Sequence, residues 1–489
     1  MDVKEAKAIY QLGEDAVVKI LLALDARIAI LEETLKKQER KIAQLSKDSS
    51  TSSKRPSSDD ITKKKPKTQN KKKDVKRSKG AQPGHRKNER SAFPPEEIDD
   101  FYSYYLESCP NCNGKNLKLS DSPPRVVQQL EIKKIPITKE EHTAYAIWCE
   151  SCQQTHYAPL PPEVVKAGLF KERATALVAY LKNVCHCSFS TIRKFFQDVL
   201  GESISRGYLS KLITKVSRSL DKPYEELLDR LPLENAINVD ETGHKDNGDR
   251  FWTWVFKAEL YVLFKIDKSR GSQVLIEVLG KEFDGILGCD YFSAYRKFMK
   301  DFNVSIQFCI AHLIRNIKYL ITLPDKETKT YGENLLKTVK ALFKIIHHRD
   351  DMPPSTFRNK LFETKQEILK KATENIPSCL NSKGKEEKTE VKNMSDRFLK
   401  YGDAYFEFIT NPEIDPTNNI AEQAIRFIVI DRHITQGTRS PGGRAASERL
   451  WTVIATCALQ GRSAYNFILK AVQAHFSGGL SPSLLTDTS

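Results

Sequence analysis

The sequence predicts a multidomain protein whose largest folded part is an α/β domain with a mixed sheet. Its 489 residues are enough for about three domains of ordinary size. Short apolar runs typical of strands alternate with helical patterns between residues 236 and 310. Positive charge is concentrated in one stretch, because residues 51–90 hold 15 Lys and Arg against 4 Asp and Glu and so carry +11 of the net charge of +15. The remaining chain is nearly neutral.

Several protein classes are excluded by composition. No run of about 18 uncharged apolar residues occurs, and the first residues lack the pattern of a secretory signal. We therefore expect a cytoplasmic, nucleoid-associated protein without a membrane partner. A hydrophobic content of 39% is sufficient for buried cores. In such a compartment the ten cysteines are expected to be metal ligands or buried thiols rather than disulfides.

Residues 1–47 predict a coiled coil of about four heptads. Apolar residues recur at alternating steps of three and four: Val17, Leu21, Leu24, Ile28, Leu31, Leu35, Ile42 and Leu45. Gln38 is the polar residue within this seam. One interpretation is a homo-oligomer in which Gln38 sets the register, and the other is a single amphipathic helix that packs on its own chain.

Residues 48–98 are polar and rich in lysine, which predicts a disordered tether. Lysine clusters of this kind bind nucleic-acid phosphates through counterion release, without reading sequence. A linker that only confers solubility has the same composition, so both interpretations stay open.

Residues 99–165 predict a zinc-binding β module. Cys109 and Cys112 form one Cys-x-x-Cys pair, and Cys149 and Cys152 form a second pair after 36 intervening residues of strand character. Two such pairs match a closed tetrahedral site for structural Zn²⁺. The alternative is four free thiols, and nearby His156 is interpreted as a surface histidine.

Residues 166–230 predict helices with a helix-turn-helix pattern. A first helix over 189–200 ends at Gly201, and Ser203 or Ser205 can cap a second helix that runs to about Leu220. The second helix would present four residues to DNA: Arg206, Tyr208, Lys211 and Lys215. Any packed helical hairpin can show this pattern, so simple packing is the alternative. Cys185 and Cys187 are interpreted as packing residues.

Residues 231–324 carry the strands of the mixed sheet. The predicted strands cover 236–240, 251–256, 261–266, 285–290 and 305–310. Predicted helices cover 272–279 and 292–299. Three antiparallel strands followed by strands with helical crossovers predict a sheet with both antiparallel and parallel pairs.

Three acidic residues are candidates for a metal site. Asp240 ends the first predicted strand and Asp290 ends the fourth, so the two carboxylates can converge on Mg²⁺ if these strands are neighbours. Glu422 shares one helix face with Asn419 and Arg426, because the three residues stand at i, i+3 and i+7. Taken singly, an aspartate at a strand end can be a turn residue, and the polar stripe can be an exposed ion-pair face.

The motifs together resemble the insertion-sequence-66 family of bacterial DDE transposases. The resemblance rests on NVDET, GCDYFSAY, CIAH and DPTNNIAEQAIR, and on the order of the coiled coil, cysteine pairs and helix-turn-helix before them. It implies an α/β ribonuclease H-like catalytic core, with Asp240, Asp290 and Glu422 holding Mg²⁺ or Mn²⁺. Residues 325–402 would be a helical insertion in this core, and residues 403–480 its second part with C-terminal helices.

The resemblance implies a DNA transposase that cuts element ends and joins them to target DNA. Double-stranded DNA and accessory transposition proteins are the implied partners, with His312 and Arg426 contacting phosphates. Two alternatives remain: a catalytically inactive or domesticated DNA-binding regulator, and a metal-dependent DNA nuclease without strand transfer. For His312 and Arg426, a purely structural role is the alternative.

Overall fold

The computed structural model describes residues 3–47, 51, 92–104, 106–108, 110–113, 115, 126–129, 136–374, 376 and 389–485. Almost all of the predicted basic tether therefore lies outside the described residues, as do Cys109 and the side chain of Cys149. The chain divides into two compact units: Met1–Ile61 with His142–Ser489, and Thr62–Glu141. Among the described residues, no helix is long and apolar enough to cross a membrane.

A long helix forms over the predicted heptads. Helix α1 (Val3–Gln11) is followed by α2 (Glu14–Leu45), which has 32 residues. The seam stays exposed within one chain, as Leu21 (59%) and Leu35 (56%) show. Only the end of α2 contacts the core, where Ala43 packs against it and the Lys47 ammonium lies 3.5 Å from the centre of the Tyr319 ring. The helix is as predicted, while its pairing with a second copy stays a prediction.

A small hairpin follows the first cysteine pair. Strands β1 (Ala146–Cys149) and β2 (Gln154–Tyr157) pair antiparallel, so Trp148 stands opposite Thr155. Cys112 and Cys152 are exposed, and the Cys152 sulfur lies 3.2 Å from Nε2 of His156. The four-cysteine site itself stays a prediction.

Five helices form the next part of the chain: α3 (Pro162–Ala167), α4 (Glu172–Asn183), α5 (Phe189–Leu200), α6 (Arg206–Ser219) and α7 (Asp221–Arg230). Ser188 caps α5 and Ser205 caps α6 through their side-chain oxygens. Between them Gly201 ends α5 at a φ of 70°, a left-handed conformation that glycine adopts without strain. The predicted helical pair is thus present around a small apolar core: Val178, Ile192, Phe196, Leu209 and Leu212.

The central sheet has five strands in the order β5–β4–β3–β6–β7. The strands are β3 (Ala236–Asp246), β4 (Asp249–Lys257), β5 (Val262–Asp267), β6 (Ile286–Cys289) and β7 (Ser305–Phe308). Pairs β3–β4 and β4–β5 are antiparallel, whereas β3–β6 and β6–β7 are parallel. The predicted mixed sheet is confirmed, with the first and fourth strands as neighbours.

Strand β3 is longer than the sequence pattern indicated. It continues six residues past Asp240 because β3 and β4 form one hairpin that closes at Asn247 and Gly248. Both turn residues have positive φ, 51° and 94°, as a tight hairpin turn requires. Asp240 therefore lies within β3, although the parallel pairing with β6 ends earlier, at Asn238 opposite Gly288.

The remaining α-helices of the described residues fall into three groups along the chain. Those between strands or directly after β7 are α8 (Gln273–Leu279), α9 (Ser293–Phe302) and α10 (Ile310–Ile321). The segment predicted as a helical insertion contains α11 (Lys326–His347), α12 (Pro354–Thr373) and α13 (Glu390–Tyr401). The last three are α14 (Asn419–Thr435), α15 (Pro441–Leu459) and α16 (Ala464–Ser477). Trp451 of α15 packs against Phe264 of β5, with ring centres 6.3 Å apart.

Candidate active site

The carboxyl ends of three parallel strands meet at one edge of the sheet. Asp290 directly follows β6, and Asp240 lies two residues beyond the last β3–β6 pair. At the end of β7, the Cys309 amide donates to the carbonyl oxygen of Cys289 at 2.8 Å. Ligands of open α/β sheets bind at this carboxyl edge, because loops and helix starts converge there.

Asp240 and Asp290 are electrostatic neighbours. The pKa of Asp290 is raised to about 6, first by burial and then by the negative charge of Asp240. The Phe292 amide donates to Oδ1 of Asp290 at 2.9 Å and partly opposes that rise. Two carboxylates that disfavour each other's ionisation are an arrangement that a bound divalent cation relieves.

Asn418 connects the start of α14 to the strand that carries Asp240. Its side-chain amide donates to the carbonyl oxygen of Val239 at 2.8 Å and accepts from Nδ2 of Asn238 at 2.8 Å. Its backbone amide donates to the Cys309 sulfur at 3.2 Å. These buried hydrogen bonds place the first turn of α14, and with it Glu422, at the carboxyl edge of the sheet.

Glu422 is held among side chains of α10. Its Oε1 lies 3.5 Å from Nε2 of His312, and its Oε2 lies 3.4 Å from Nη2 of Arg315. The buried Oε1 accepts no hydrogen bond from any residue that the structure describes. A buried carboxylate oxygen without a donor is free to bind a cation, so Glu422 fits the role of a third metal ligand.

One group of possible metal ligands among the described residues includes Glu422. Ligating atoms of Cys309, His312 and Glu422 all lie within 4.8 Å of one another. Burial raises the pKa of the Cys309 thiol to about 11. Mg²⁺ prefers oxygen ligands, so Glu422 is the member of this set that suits such a cation.

Comparison with known proteins places this site within one family. The family model described as "Transposase IS66 family" matches residues 167–446, more than half of the chain and all of the sheet. The chain belongs to the IS66 family of transposases. A second model, for a family of unknown function, matches residues 4–91.

A curated relative of this IS66-family chain is "Uncharacterized protein y4qI" of Sinorhizobium fredii (strain NBRC 101917 / NGR234). It is 22% identical over 333 residues, which cover 62% of the present chain. The match spans 59% of the length of that relative. This comparison supports common descent of the matched part and assigns no activity.

Glu241, the residue after Asp240 in β3, is a buried acid that the sequence reasoning missed. Successive strand residues point to opposite faces, so Glu241 points away from Asp240. Arg270 donates to Oε1 of Glu241 from Nε at 3.0 Å and Nη2 at 2.7 Å, and Tyr295 donates to Oε2 at 2.5 Å. The cluster joins β3 to α9 and lies close to Asp290, because burial and then the charge of Asp290 raise the pKa of Glu241. A signal was present, since an acid within an apolar strand needs a buried partner.

The segment predicted as a helical insertion supplies a buried cation near Asp290. Arg397 of α13 is 7% exposed, and its guanidinium lies 3.8 Å from the centre of the Tyr291 ring. Burial lowers the pKa of Arg397 to about 9, and its positive charge opposes the rise in the Asp290 pKa. No pattern in the sequence indicated this residue, because α13 is about 100 residues away from Asp290 along the chain.

The predicted DNA-contacting residues lie in different environments. Arg206 and Lys211 are exposed on α6. The hydroxyl of Tyr208 accepts from the Phe170 amide at 3.0 Å, and Lys215 Nζ donates to the carbonyl oxygens of Lys166 and Ala167 at 2.7 and 2.9 Å. Two of the four side chains thus make internal contacts, and readout of DNA by α6 stays a prediction.

The remaining two predicted phosphate contacts also differ. His312 is buried beside Glu422, whereas Arg426 is exposed one turn further along α14. The structure therefore brings Asp240, Asp290, Glu422 and His312 to one edge of the sheet. It leaves Arg426 at the surface near that edge.

Proposed function

We propose that this IS66-family transposase cuts and joins DNA with Asp240, Asp290 and Glu422 as its metal-binding triad, on a ribonuclease H-like core. One observation supports this proposal most directly. The charge of Asp240 raises the pKa of Asp290, while Asn418 fastens the helix of Glu422 to the strand of Asp240. These contacts support a convergence of three acids from distant parts of the chain at the edge of the sheet where ligands bind.

The residues present fit Mg²⁺ or Mn²⁺. Two divalent ions held by such carboxylates stabilise both the attacking and the leaving oxygen of an in-line displacement at phosphorus. Asp240 of β3, Asp290 at the end of β6 and Glu422 of α14 would bind these ions. The hydrogen bonds of Glu241 to Arg270 and Tyr295 hold β3 in place while the substrate binds.

The reaction that these groups support has two displacements. Water attacks a phosphodiester at the element end and releases a 3′-hydroxyl, and that hydroxyl then attacks a phosphodiester of target DNA. Each displacement exchanges one P–O bond for another, so no covalent protein intermediate is required. DNA is held by exposed basic residues of the helix-turn-helix, such as Arg206 and Lys211, and by the basic tether.

The proposal includes two structural roles and a partner class. The Cys109, Cys112, Cys149 and Cys152 thiolates hold a structural Zn²⁺, because two Cys-x-x-Cys pairs supply a complete tetrahedral shell. The exposed seam of α2 joins copies of the chain, as its heptad spacing indicates. Accessory transposition proteins complete the set of proposed partners, and a pull-down from cells that carry the element tests for them.

The triad is tested by replacing each acid with its isosteric amide. We expect Asp240→Asn, Asp290→Asn and Glu422→Gln each to lower Mg²⁺-dependent cleavage and joining of element ends at least a hundredfold, with DNA binding retained. The matched control is Asp301→Asn, which changes an exposed acid of α9 that pairs with Lys297. Cleavage assays and gel shifts on the same substrates measure both quantities. Full cleavage by any of the three amide variants would falsify the triad.

The same assays separate the alternative functions. A DNA-binding regulator would bind element ends without cutting them, even in the parent protein. A nuclease without strand transfer would cut the ends but leave no joined product when target DNA is supplied. The retention of all three acids, positioned by buried hydrogen bonds, favours an active enzyme over a decayed one.

A further inference from the structure

Arg315 of α10 occupies a place beside Glu422 where a cation would bind. Its Nη2 lies 3.4 Å from Oε2 of Glu422, and its Nη1 lies 3.2 Å from Nε2 of His312. His312 Nε2 in turn lies 3.5 Å from the other carboxylate oxygen of Glu422. The three side chains therefore form one contiguous cluster at the proposed metal site.

The hydrogen-bond roles in this cluster follow from chemistry. A guanidinium only donates hydrogen bonds, so Nε2 of His312 accepts from Arg315. A nitrogen that accepts from arginine is not available to donate to a DNA phosphate. In this arrangement His312 orients Arg315, and a phosphate contact by His312 stays a prediction.

Arg315 is partly accessible, unlike the histidine beside it. Its side chain is 20% exposed and that of Glu422 is 18% exposed, whereas that of His312 is 9% exposed. The guanidinium carries five N–H donors in a planar fork that matches the geometry of a phosphate. The exposed fraction of the Arg315 side chain is surface that an approaching DNA backbone can contact.

Arg315 pairs with the carboxylate that would hold a metal ion. Because both are cations, an ion at Glu422 would repel the guanidinium and weaken its pairing with Oε2. The substrate meanwhile brings an anionic phosphodiester to the same edge of the sheet. A released guanidinium next to that phosphate regains a charge-assisted, bidentate partner.

We propose that Arg315 is a phosphate-binding residue of the active site. In the metal-free protein Glu422 holds it, and when metal and DNA bind, its hydrogen bonds pass from the carboxylate to a backbone phosphate beside the scissile bond. This inference rests on the proposed function, because it takes Glu422 as a metal ligand. It predicts that loss of Arg315 has opposite effects on metal binding and on DNA cleavage.

Metal binding is measured first, by titrating the full-length, DNA-free protein with Mn²⁺ and following free Mn²⁺ by electron paramagnetic resonance. We expect Arg315→Gln to bind Mn²⁺ about three- to tenfold more tightly than the parent, since a competing cation is gone. Arg315→Lys should stay within about twofold of the parent, because the charge remains. Lys318→Gln is the matched control, since it removes one exposed positive charge from the same helix, and it should change nothing.

Cleavage is measured second, at saturating Mn²⁺. We expect Arg315→Gln to cut DNA at least tenfold more slowly than the parent, and Arg315→Lys to retain an intermediate rate because a single ammonium cannot replace the fork. Thermal melting checks that each variant is folded. A folded variant that simply loses both metal affinity and cleavage would overturn the exchange, since that pattern means Arg315 only supports the structure.

A Glu422→Gln variant distinguishes a failure of the Arg315 exchange from a failure of the proposed metal triad. If Mn²⁺ affinity falls in Glu422→Gln but is unchanged or lower in Arg315→Gln, the exchange is wrong and the triad stands. If tighter Mn²⁺ binding in Arg315→Gln comes with unaltered cleavage, the phosphate contact is wrong. If Glu422→Gln binds Mn²⁺ as tightly as the parent, the proposed function itself fails.

Discussion

At the scale of single residues, Asp290 shows how a functional group is maintained at the expense of stability. Its carboxylate is buried at the end of β6 beside Asp240, and its pKa is raised to about 6. The ordinary value is 3.8, so ionisation of this group disfavours the folded state. Arg397 and Arg270 reduce that penalty without removing it.

The linkage between Asp290 and stability gives a prediction with a definite sign. Between pH 3.8 and about 6 the folded protein binds more protons than the unfolded one, so this residue's contribution to stability falls as pH rises. Above about pH 6 the penalty is complete. In magnesium-free buffer at pH 7.5 we therefore expect Asp290→Asn to be more stable than the parent, by about 3 kcal/mol.

Chemical unfolding between pH 4 and pH 8 measures this effect. The gain should shrink toward zero as pH falls from 6 to 4, because the parent carboxyl then becomes neutral as well. The amide oxygen of asparagine can still accept from the Phe292 amide, so no hydrogen bond needs to be lost. Asp301→Asn serves as the exposed control. A gain that is independent of pH would contradict the assignment.

At the scale of secondary-structure elements, α14 connects two parts of the molecule. Its first turn is fastened to β3 by Asn418, and near its other end Asp431 lies 3.4 Å from Nδ1 of His186, just before α5. One helix thus touches both the sheet edge and the helical pair. The β1–β2 hairpin is a smaller element, and its two strands of four residues bury little apolar surface.

The size of that hairpin leads to the prediction on zinc. So small a module needs a metal to be stable, because its apolar core is too small. We expect one equivalent of zinc in the purified parent protein and almost none in a Cys109→Ser, Cys112→Ser double variant. Cys185→Ser is the matched control, since this exposed cysteine lies outside the two pairs. Mass spectrometry measures the zinc content of each protein, and a parent protein without zinc would refute the site.

At the scale of the whole molecule, most of the net positive charge lies in a different part of the sequence from the acids of the proposed site. Residues 51–90 carry +11 of the net charge of +15, whereas the proposed site is a cluster of acids at the edge of the sheet. Carboxylates repel DNA phosphates, so they act on DNA only through bound cations. A separate basic segment can hold the substrate without altering the electrostatics that the acids require.

The salt dependence of DNA binding tests this division. Replacing six tether lysines by alanine should lower the slope of log affinity against log salt by up to about 5, because each lost phosphate contact removes about 0.9; the residues are Lys63, Lys64, Lys65, Lys71, Lys72 and Lys73. The control replaces six exposed lysines of the helical insertion: Lys337, Lys340, Lys344, Lys360, Lys370 and Lys371. Equal effects of both changes on binding would show that the tether has no special role.

Much of the architecture could be predicted from local pattern. Alternating apolar residues and short helical stretches indicated the mixed sheet, whereas the strand order that makes the first and fourth strands neighbours came from the structure. The hairpin turn at Asn247 and Gly248 was overlooked although its sequence signal is strong, so β3 was predicted too short. These features are local because backbone preference and side-chain alternation act over a few residues.

The sequence by itself therefore determined the elements of this IS66-family transposase, its separated charge and the identity of its candidate acids. Only the tertiary structure decided which side chains meet them. Glu422 reaches the site through Asn418, and Arg315 and Arg397 lie beside the acids although no motif marks them. The physical reason is that contacts between residues 100 or more positions apart depend on how whole helices pack, and no local spacing encodes that packing.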